Sequence, residues 1–257
     1  MQHRILVTND DGINAPGLAV MERVARQFTD DVWVVAPDFE KSGASRSVSL
    51  GEPVRVQERG DKRYALLRGT PTDCVVIALD HVMRESPPTL VLSGVNRGAN
   101  LAEDLTFSGT CAAAMEATNM GIRAIAMSQL FPVGGTVRWQ TTETHAPRIV
   151  RALLDVPTPR GAFHNVNFPD VEPDQIKGVR AVPQGKWGKV KLNVDARIDP
   201  RNFPYAWLSF THEPAVPPDL DTDIGAATSG WITVTPLDTD ITWREGLGAL
   251  AKGLAGL

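Results

Sequence analysis

A strand, a helix and a second strand follow one another within about thirty residues at the start of the chain, the span of one βαβ unit. Ile5, Leu6 and Val7 form an apolar run with no polar alternation, which suits a central strand covered on both faces. Leu18, Met21, Val24, Ala25 and Phe28 then recur at helical period on one face. Residues 31–36 read as the second strand, closed by Pro37-Asp38. Two strands joined through a helix lie parallel, with a right-handed crossover. Further strands at residues 64–67, 90–93, 124–128 and 163–168 alternate with helices at 70–82, 108–120 and 144–154. The chain is therefore expected to be an α/β protein with a three-layer, Rossmann-like, mostly parallel sheet and a C-terminal β-rich arm.

The first strand runs out at Asp10-Asp11-Gly12. Alternate strand side chains point to opposite faces, so adjacent carboxylates reach one site only where the backbone turns, and Gly12 permits that turn. Two carboxylates that close repel unless a cation lies between them or one keeps a proton. Taken alone, the stretch can also be an ordinary Asp-Gly turn. Loops leaving the carboxyl ends of parallel strands open on one edge of the sheet, where such folds bind ligands. Two more loops of this kind carry oxygen donors, namely residues 41–47 with Ser42 and residues 94–100 with Asn96 and Asn100. Asp10, Asp11, Ser42 and Asn96 make an oxygen-only set, suited to Mg²⁺, Mn²⁺ or Ca²⁺, whereas zinc usually recruits His or Cys. Ser108-Gly109-Thr110 then opens a helix that Gly121 stops. A hydroxyl, a glycine and a hydroxyl at a helix N-terminus form an anion site, although Ser108 alone can be no more than the cap. A divalent cation beside such a cradle points to phosphoryl chemistry.

The 257 residues read as one domain, 1–257, within which residues 178–235 form a β-rich arm and oligomerisation portion. Residues 185–210 read as an extended arm or hairpin, with Trp187, Tyr205 and Trp207 available to a partner. Thr242 to Glu245 resembles a capping box before a weak, glycine-containing helix. Hydrophobic residues at 42% and charged residues at 22% describe a globular chain and not a disordered one. A formal net charge of -4 argues against a general nucleic-acid or membrane-surface binder. No apolar run approaches the ~18 residues of a membrane span, and the chain enters its first strand too soon for a signal peptide. Cys74 and Cys111 both fall in predicted helices, so a reduced, cytoplasmic protein is expected.

Four ordered stretches, Thr8-Asn9-Asp10-Asp11-Gly12, Ser42-Gly43, Ser93-Gly94-Val95-Asn96-Arg97-Gly98-Ala99-Asn100 and Ser108-Gly109-Thr110, resemble the signature of the SurE survival-protein family. So do Asn165-Val166-Asn167 and residues 229–237, and the likeness spans nearly the whole chain. The resemblance implies a metal-dependent phosphomonoesterase hydrolysing nucleoside 5'- and 3'-monophosphates to nucleoside and phosphate, with short polyphosphate as a substrate of some members. Carried onto this sequence, it implies one divalent ion per subunit, Mg²⁺ or Mn²⁺, held by Asp10, Asp11, Ser42 and Asn96. Asn100, Ser108, Gly109 and Thr110 then lie at the phosphate, and Asp10, Asn100 and Ser108 are the catalytic candidates. A metal-bound water is the expected attacking group, because both aspartates are needed as ligands. The family's dimers and tetramers, joined through such arms, imply a homodimer or homotetramer. Phe107 stands where the family usually has tyrosine and Cys111 where it has valine. The arm departs further, since residues 182–187 are less arginine-rich and residues 199–202 lack the usual glycine.

Three other readings compete. A haloacid-dehalogenase-type phosphatase places its nucleophilic aspartate where Asn9 stands, and an amide is a far poorer nucleophile. A dinucleotide oxidoreductase needs a glycine fingerprint where this chain has Asp-Asp-Gly. A nucleotide-binding sensor without turnover is the alternative from another class, with the glycine loops serving binding alone.

Overall fold

The computed structural model describes residues 3–132, 134–213 and 219–255. Its strands are β1 (Ile5–Thr8), β2 (Val32–Pro37), β3 (Arg55–Gly60), β4 (Arg63–Leu67), β5 (Leu90–Arg97), β6 (Arg123–Gln129), β7 (Ala162–Phe168), β8 (Val179–Ala181), β9 (Lys189–Ile198), β10 (Pro204–Glu213) and β11 (Ile232–Asp238). Its helices are α1 (Pro16–Ala25), α2 (Pro71–Ile77), α3 (Gly109–Asn119), α4 (Trp139–Leu154), α5 (Asp223–Thr228) and α6 (Arg244–Leu254). Among the described residues nine strands form one sheet in the order β3-β4-β2-β1-β5-β6-β7-β11-β8, while β9 and β10 form a separate ribbon. The run from β4 to β7 is parallel, and β3 and β11 lie antiparallel to their inner neighbours.

Helices cover both faces, as the unalternated strands require. Ile5 and Val7 share one core with Leu18, Met21 and Val24 of α1 and Ile149 and Val150 of α4. Leu6 points the other way, into a second core with Val75 of α2 and Ala113, Ala114 and Ala117 of α3. The three-layer α/β architecture is the one expected from the sequence.

Several boundaries differ from that expectation. Strand β5 continues past Ser93 to Arg97, with its pairing to β6 shifting between Ser93 and Asn96, so Asn96 sits in a strand and not a loop. Helix α4 begins at Trp139 and not near Thr144. Its start is held from outside the helix, by Arg138 paired with Asp170 and Glu172 and by the Thr141 hydroxyl donating to Val171 O at 2.6 Å. Thr70 and Asp73 form the capping box of α2, which gives way at Ala78–Val82 to a π-helical turn. Thr242 caps nothing, and α6 starts after Trp243 without a side-chain cap.

The 178–235 stretch divides. Its two ends, β8 and β11, belong to the main sheet, and only β9 and β10 project from it. Trp187 is not part of the ribbon. Its N–H donates to Glu103 Oε2 at 2.8 Å and its indole to Asp104 Oδ2 at 3.1 Å, and its ring packs beside Leu101 and Ile224. Among the described residues no helix is long and apolar enough to cross a membrane.

Candidate active site

From β1 the chain builds outward through β2 and β4, then returns to place β5 on the other side of β1 and continues to β6 and β7. This reversal leaves a crevice beyond the carboxyl ends of β1 and β5, the usual place for a ligand in an open α/β sheet. Gly12 turns the chain there with φ +102°, a conformation that favours glycine. Asn9 closes the turn, donating from Nδ2 to Gly12 O at 3.0 Å and accepting from Gly12 N at 3.2 Å. Asp11 Oδ2 accepts from Arg97 N at 2.9 Å, which ties the end of β1 to the end of β5.

The N-terminus of α3 is turned onto Asp10. Gly109 makes that approach possible, since a Cβ there would lie 2.7 Å from Asp10 Cβ. The Thr110 hydroxyl donates to Asp10 Oδ1 at 2.6 Å, and the Thr110 N–H also serves this carboxylate. The anion at this helix end is thus the chain's own aspartate, favoured by the free N–H groups and the helix dipole. Ser108 is the cap, its Oγ accepting from Cys111 N at 3.0 Å. A hydroxyl that accepts still has its hydrogen to donate outward.

Both carboxylates are held above their usual range. Burial pushes Asp10 up, against the hydrogen bonds from Thr110 that favour its charge. Asp11 rises to about 6, first through burial and then through the charge of Asp10 beside it, with Glu40 adding to the repulsion. Among the described residues neither aspartate has a Lys or Arg within ion-pair distance. A cation between them would relieve that repulsion. Two further oxygen donors lie on the neighbouring segments. Asn96 spends its amide nitrogen on Gly98 O at 2.9 Å, which leaves its carbonyl oxygen for a ligand. Ser42 lies on the neighbouring loop, where its hydroxyl donates to Glu40 Oε1 at 2.8 Å. That loop is tied to the site at both ends, by Lys41 N to Asp10 O at 2.7 Å and by Ser45 N to Phe107 O at 3.2 Å. Among the described residues no three His, Cys, Asp or Glu side chains gather as a metal site, so any ion here takes hydroxyl or amide oxygens as well. Such a set suits a hard divalent ion.

Asn100 is turned inward. Its Nδ2 donates to Ser128 Oγ at 2.7 Å, and its backbone is gripped from β7. Asn167 accepts from Asn100 N at 2.9 Å and donates to Asn100 O at 3.0 Å, while Asn165 donates to the same oxygen at 2.8 Å. One step further, the fully buried Asp223 accepts from Ala102 N, Gly185 N and Ile224 N at 2.9, 2.7 and 2.7 Å. Asp223 therefore fastens the loop after β5 to the root of the arm. Ser128, Asp223 and Glu40 were not singled out from the sequence, and Asn165 and Asn167 only as a motif. Two amides on one face of a buried strand are the signal that points to Asn165 and Asn167.

The family model described as Survival protein SurE matches residues 5–191, a span that contains every residue named at the site before Asp223. The 5'-nucleotidase SurE of Brucella suis is 51% identical over 254 residues, covering 98% of each chain. That of Methylorubrum extorquens (strain PA1) is 48% identical over 241 residues, covering 93% of this chain and 94% of its own. The crystal structure of the SurE protein from Aquifex aeolicus superimposes with a TM-score of 0.82 at 33% identity, over 96% of this chain and 98% of that one. With sequence and fold agreeing along nearly its whole length, the chain belongs to the SurE family.

Proposed function

We propose that this chain is a nucleotidase, a metal-dependent phosphomonoesterase that hydrolyses nucleoside 5'- and 3'-monophosphates to nucleoside and phosphate, with short polyphosphate as a further substrate. The observation that carries the reading is the pair Asp10 and Asp11, two carboxylates with no Lys or Arg at ion-pair distance among the described residues, at the switch point of the sheet and next to the first turn of α3. The names of the relatives support the substrate class. Asp10, Asp11, Ser42 and Asn96 would hold one Mg²⁺ or Mn²⁺, which when bound supplies positive charge to polarise the phosphoryl group and lowers the pKa of water.

The chain's own groups then do the positioning. Thr110 orients Asp10, and the Arg97 N–H orients Asp11. The Ser108 hydroxyl donates its hydrogen to a phosphate oxygen, beside the Gly109 N–H at the helix start. Asn165 and Asn167 hold the Asn100 segment still while charge builds on the phosphoryl oxygens. The two buried free cysteines suit a reducing compartment, and we place the protein in the cytoplasm as a homodimer or homotetramer. Phosphate release from AMP with added Mn²⁺, before and after chelation, tests the reading. Turnover that chelator abolishes and Mn²⁺ or Mg²⁺ restores is expected. Full activity in metal-free protein removes the metal, and AMP bound without turnover makes the chain a sensor.

A further inference from the structure

Two cavities flank the catalytic edge, one on each face of the sheet. The cavity on the α1 and α4 side has a volume of about 480 Å³ and is lined by Asp11, Pro16, Arg97, Thr136, Val137 and Trp139 among others. The cavity on the α3 side has about 300 Å³ and reaches Ser108, with Arg46, Leu105 and Met115 in its wall. The larger volume lies in the range of pockets that bury a small organic ligand and far exceeds the needs of a phosphate group. Asp11 belongs both to this cavity and to the carboxylate pair, so a phosphomonoester seated there has its organic group beside the cavity.

The two cavities also differ in their cations. Arg46 is already paired, with Glu116 Oε2 at 2.6 Å. Arg97 has no carboxylate at ion-pair distance among the described residues, and its guanidinium lies 4.9 Å from the centroid of the Phe131 ring. Arg97 itself lines the cavity, so the guanidinium that contacts this ring also borders the open space. A guanidinium backed by an aromatic ring presents a flat, polarisable face with its N–H edge intact, a platform for another flat π-system. Pro16, Val137 and the Trp139 ring supply apolar wall, and the Thr136 hydroxyl and Glu40 carboxylate supply polar groups for ring and sugar edges.

We propose that this cavity is the nucleobase subsite, and that the Arg97 guanidinium is the stacking platform that sets preference for nucleotides over simpler phosphate esters. The assignment rests on the nucleotidase reading and extends it to a named side chain. Its test compares kcat/KM for AMP with kcat/KM for ribose 5-phosphate, which lacks only the base, in the full chain and in Arg97→Ala and Arg97→Lys. Saturation-transfer NMR with adenosine on the metal-free proteins reads the base contact without turnover. The expected result is adenosine transfer in the wild type that is lost in Arg97→Ala, and a preference for AMP that falls about tenfold in both variants, as losses of base stacking do. Lysine keeps the charge and loses the plane. Full preference in Arg97→Lys, or equal losses on both esters, would make Arg97 a charge contact and overturn the proposal. So would a preference that survives Arg97→Ala and disappears in Arg46→Ala, which puts the base in the other cavity. If neither ester is hydrolysed the nucleotidase reading fails, and the adenosine signal still decides the subsite.

Discussion

Asp10 and Asp11 are neighbours in sequence with different supports. Asp10 is gripped by the Thr110 hydroxyl and by the start of α3, whereas Asp11 is oriented by the Arg97 N–H. An amide oxygen can accept that N–H as well as a carboxylate does, so Asp11→Asn keeps the local geometry and removes one charge. Metal affinity and turnover should then fall. In the presence of chelator the melting temperature should rise by a few °C, the response to about 1 kcal/mol in a chain of this size. The sign follows from the raised pKa. Asp11 titrates at about 6 when folded against the ordinary 3.8, so its ionised form opposes folding fully above pH 6 and not at all below 3.8. Calorimetry on both proteins should show the gain at pH 8 and its disappearance by pH 3.8. Wild-type turnover of the variant at low metal would remove Asp11 from the site. Ser108 separates two roles differently. Losing its cap on Cys111 N costs ~1 kcal/mol of stability, whereas losing a donor to developing charge costs ~10²–10³ in turnover. Ser108→Ala should lose turnover on that scale per folded molecule. A lowered melting temperature with turnover intact would leave it a cap and nothing more.

At the other end of the parallel strands, three elements meet on one carboxylate. Asp31, just before β2, accepts from Arg4 Nε at 2.6 Å, Lys62 Nζ at 2.8 Å and Trp33 Nε1 at 3.0 Å, which joins β1, β2 and the β3–β4 hairpin. The Lys62 hydrogen bond leads in holding its carboxyl down at about 2, against a partial opposing effect of burial, with Arg4 and Trp33 helping. A pKa lowered on folding adds stability that is full above the ordinary 3.8 and fades as pH falls through about 2. The groups are part-exposed, so each pair contributes no more than ~1 kcal/mol. Asp31→Asn should lower the urea midpoint at neutral pH, and the gap to wild type should close between pH 4 and 2. A gap that ignores pH would assign the loss to packing. Elements such as these vary in how openly the sequence declares them. The βαβ start is legible because Ile5, Leu6 and Val7 are apolar on both faces and α1 keeps a clean period. The start of α4 is not, because Arg138 finds Asp170 and Glu172 only after folding. Nor is the end of β5, where Gly94 and Asn96 are poor strand formers and pairing with β6 resumes at Asn96 only after a register shift. The same division runs through the site. Adjacent acids and a glycine after a strand announce themselves, but the grip of Asn165 and Asn167 on Asn100 spans 65 and 67 residues, so the two amides mark their strand without showing what they hold.

For the whole molecule, the ribbon is the part that one subunit does not account for. A two-stranded hairpin alone in water is marginal at best and needs a surface to pack on. Residues directly opposed in β9 and β10 share a face, and Leu192 faces Phe210, Val194 faces Leu208, Ala196 faces Ala206 and Ile198 faces Pro204. One side of the ribbon is therefore apolar over these four successive pairs. Trp207 and Tyr205, expected from the sequence to meet a partner, project from the opposite side, across from Asp195 and Arg197. On the apolar side Val194 is 66% exposed and Leu208 68%, and on the same subunit Phe210 meets Phe107 with ring centroids 5.1 Å apart. A continuous exposed apolar face of this kind marks a contact with another molecule, and a second copy of the chain offers the matching ribbon. We expect a homodimer or homotetramer joined through this face. Leu208→Asp puts a charge opposite Val194 at its centre and should give a monomer by light scattering at micromolar concentration, with unchanged far-UV circular dichroism. Trp207→Asp, on the polar side, should leave the assembly intact. Because Asp10 and Asp11 follow β1, Asn96 lies in β5 and Ser108 caps α3, all away from the ribbon strands, the Leu208→Asp monomer should still bind Mn²⁺. Its turnover should nevertheless fall, since Phe210 packs on Phe107, one residue before Ser108. A wild-type protein that runs as a monomer at micromolar concentration would refute the assembly, and a Leu208→Asp variant that stays oligomeric would move the interface off this face.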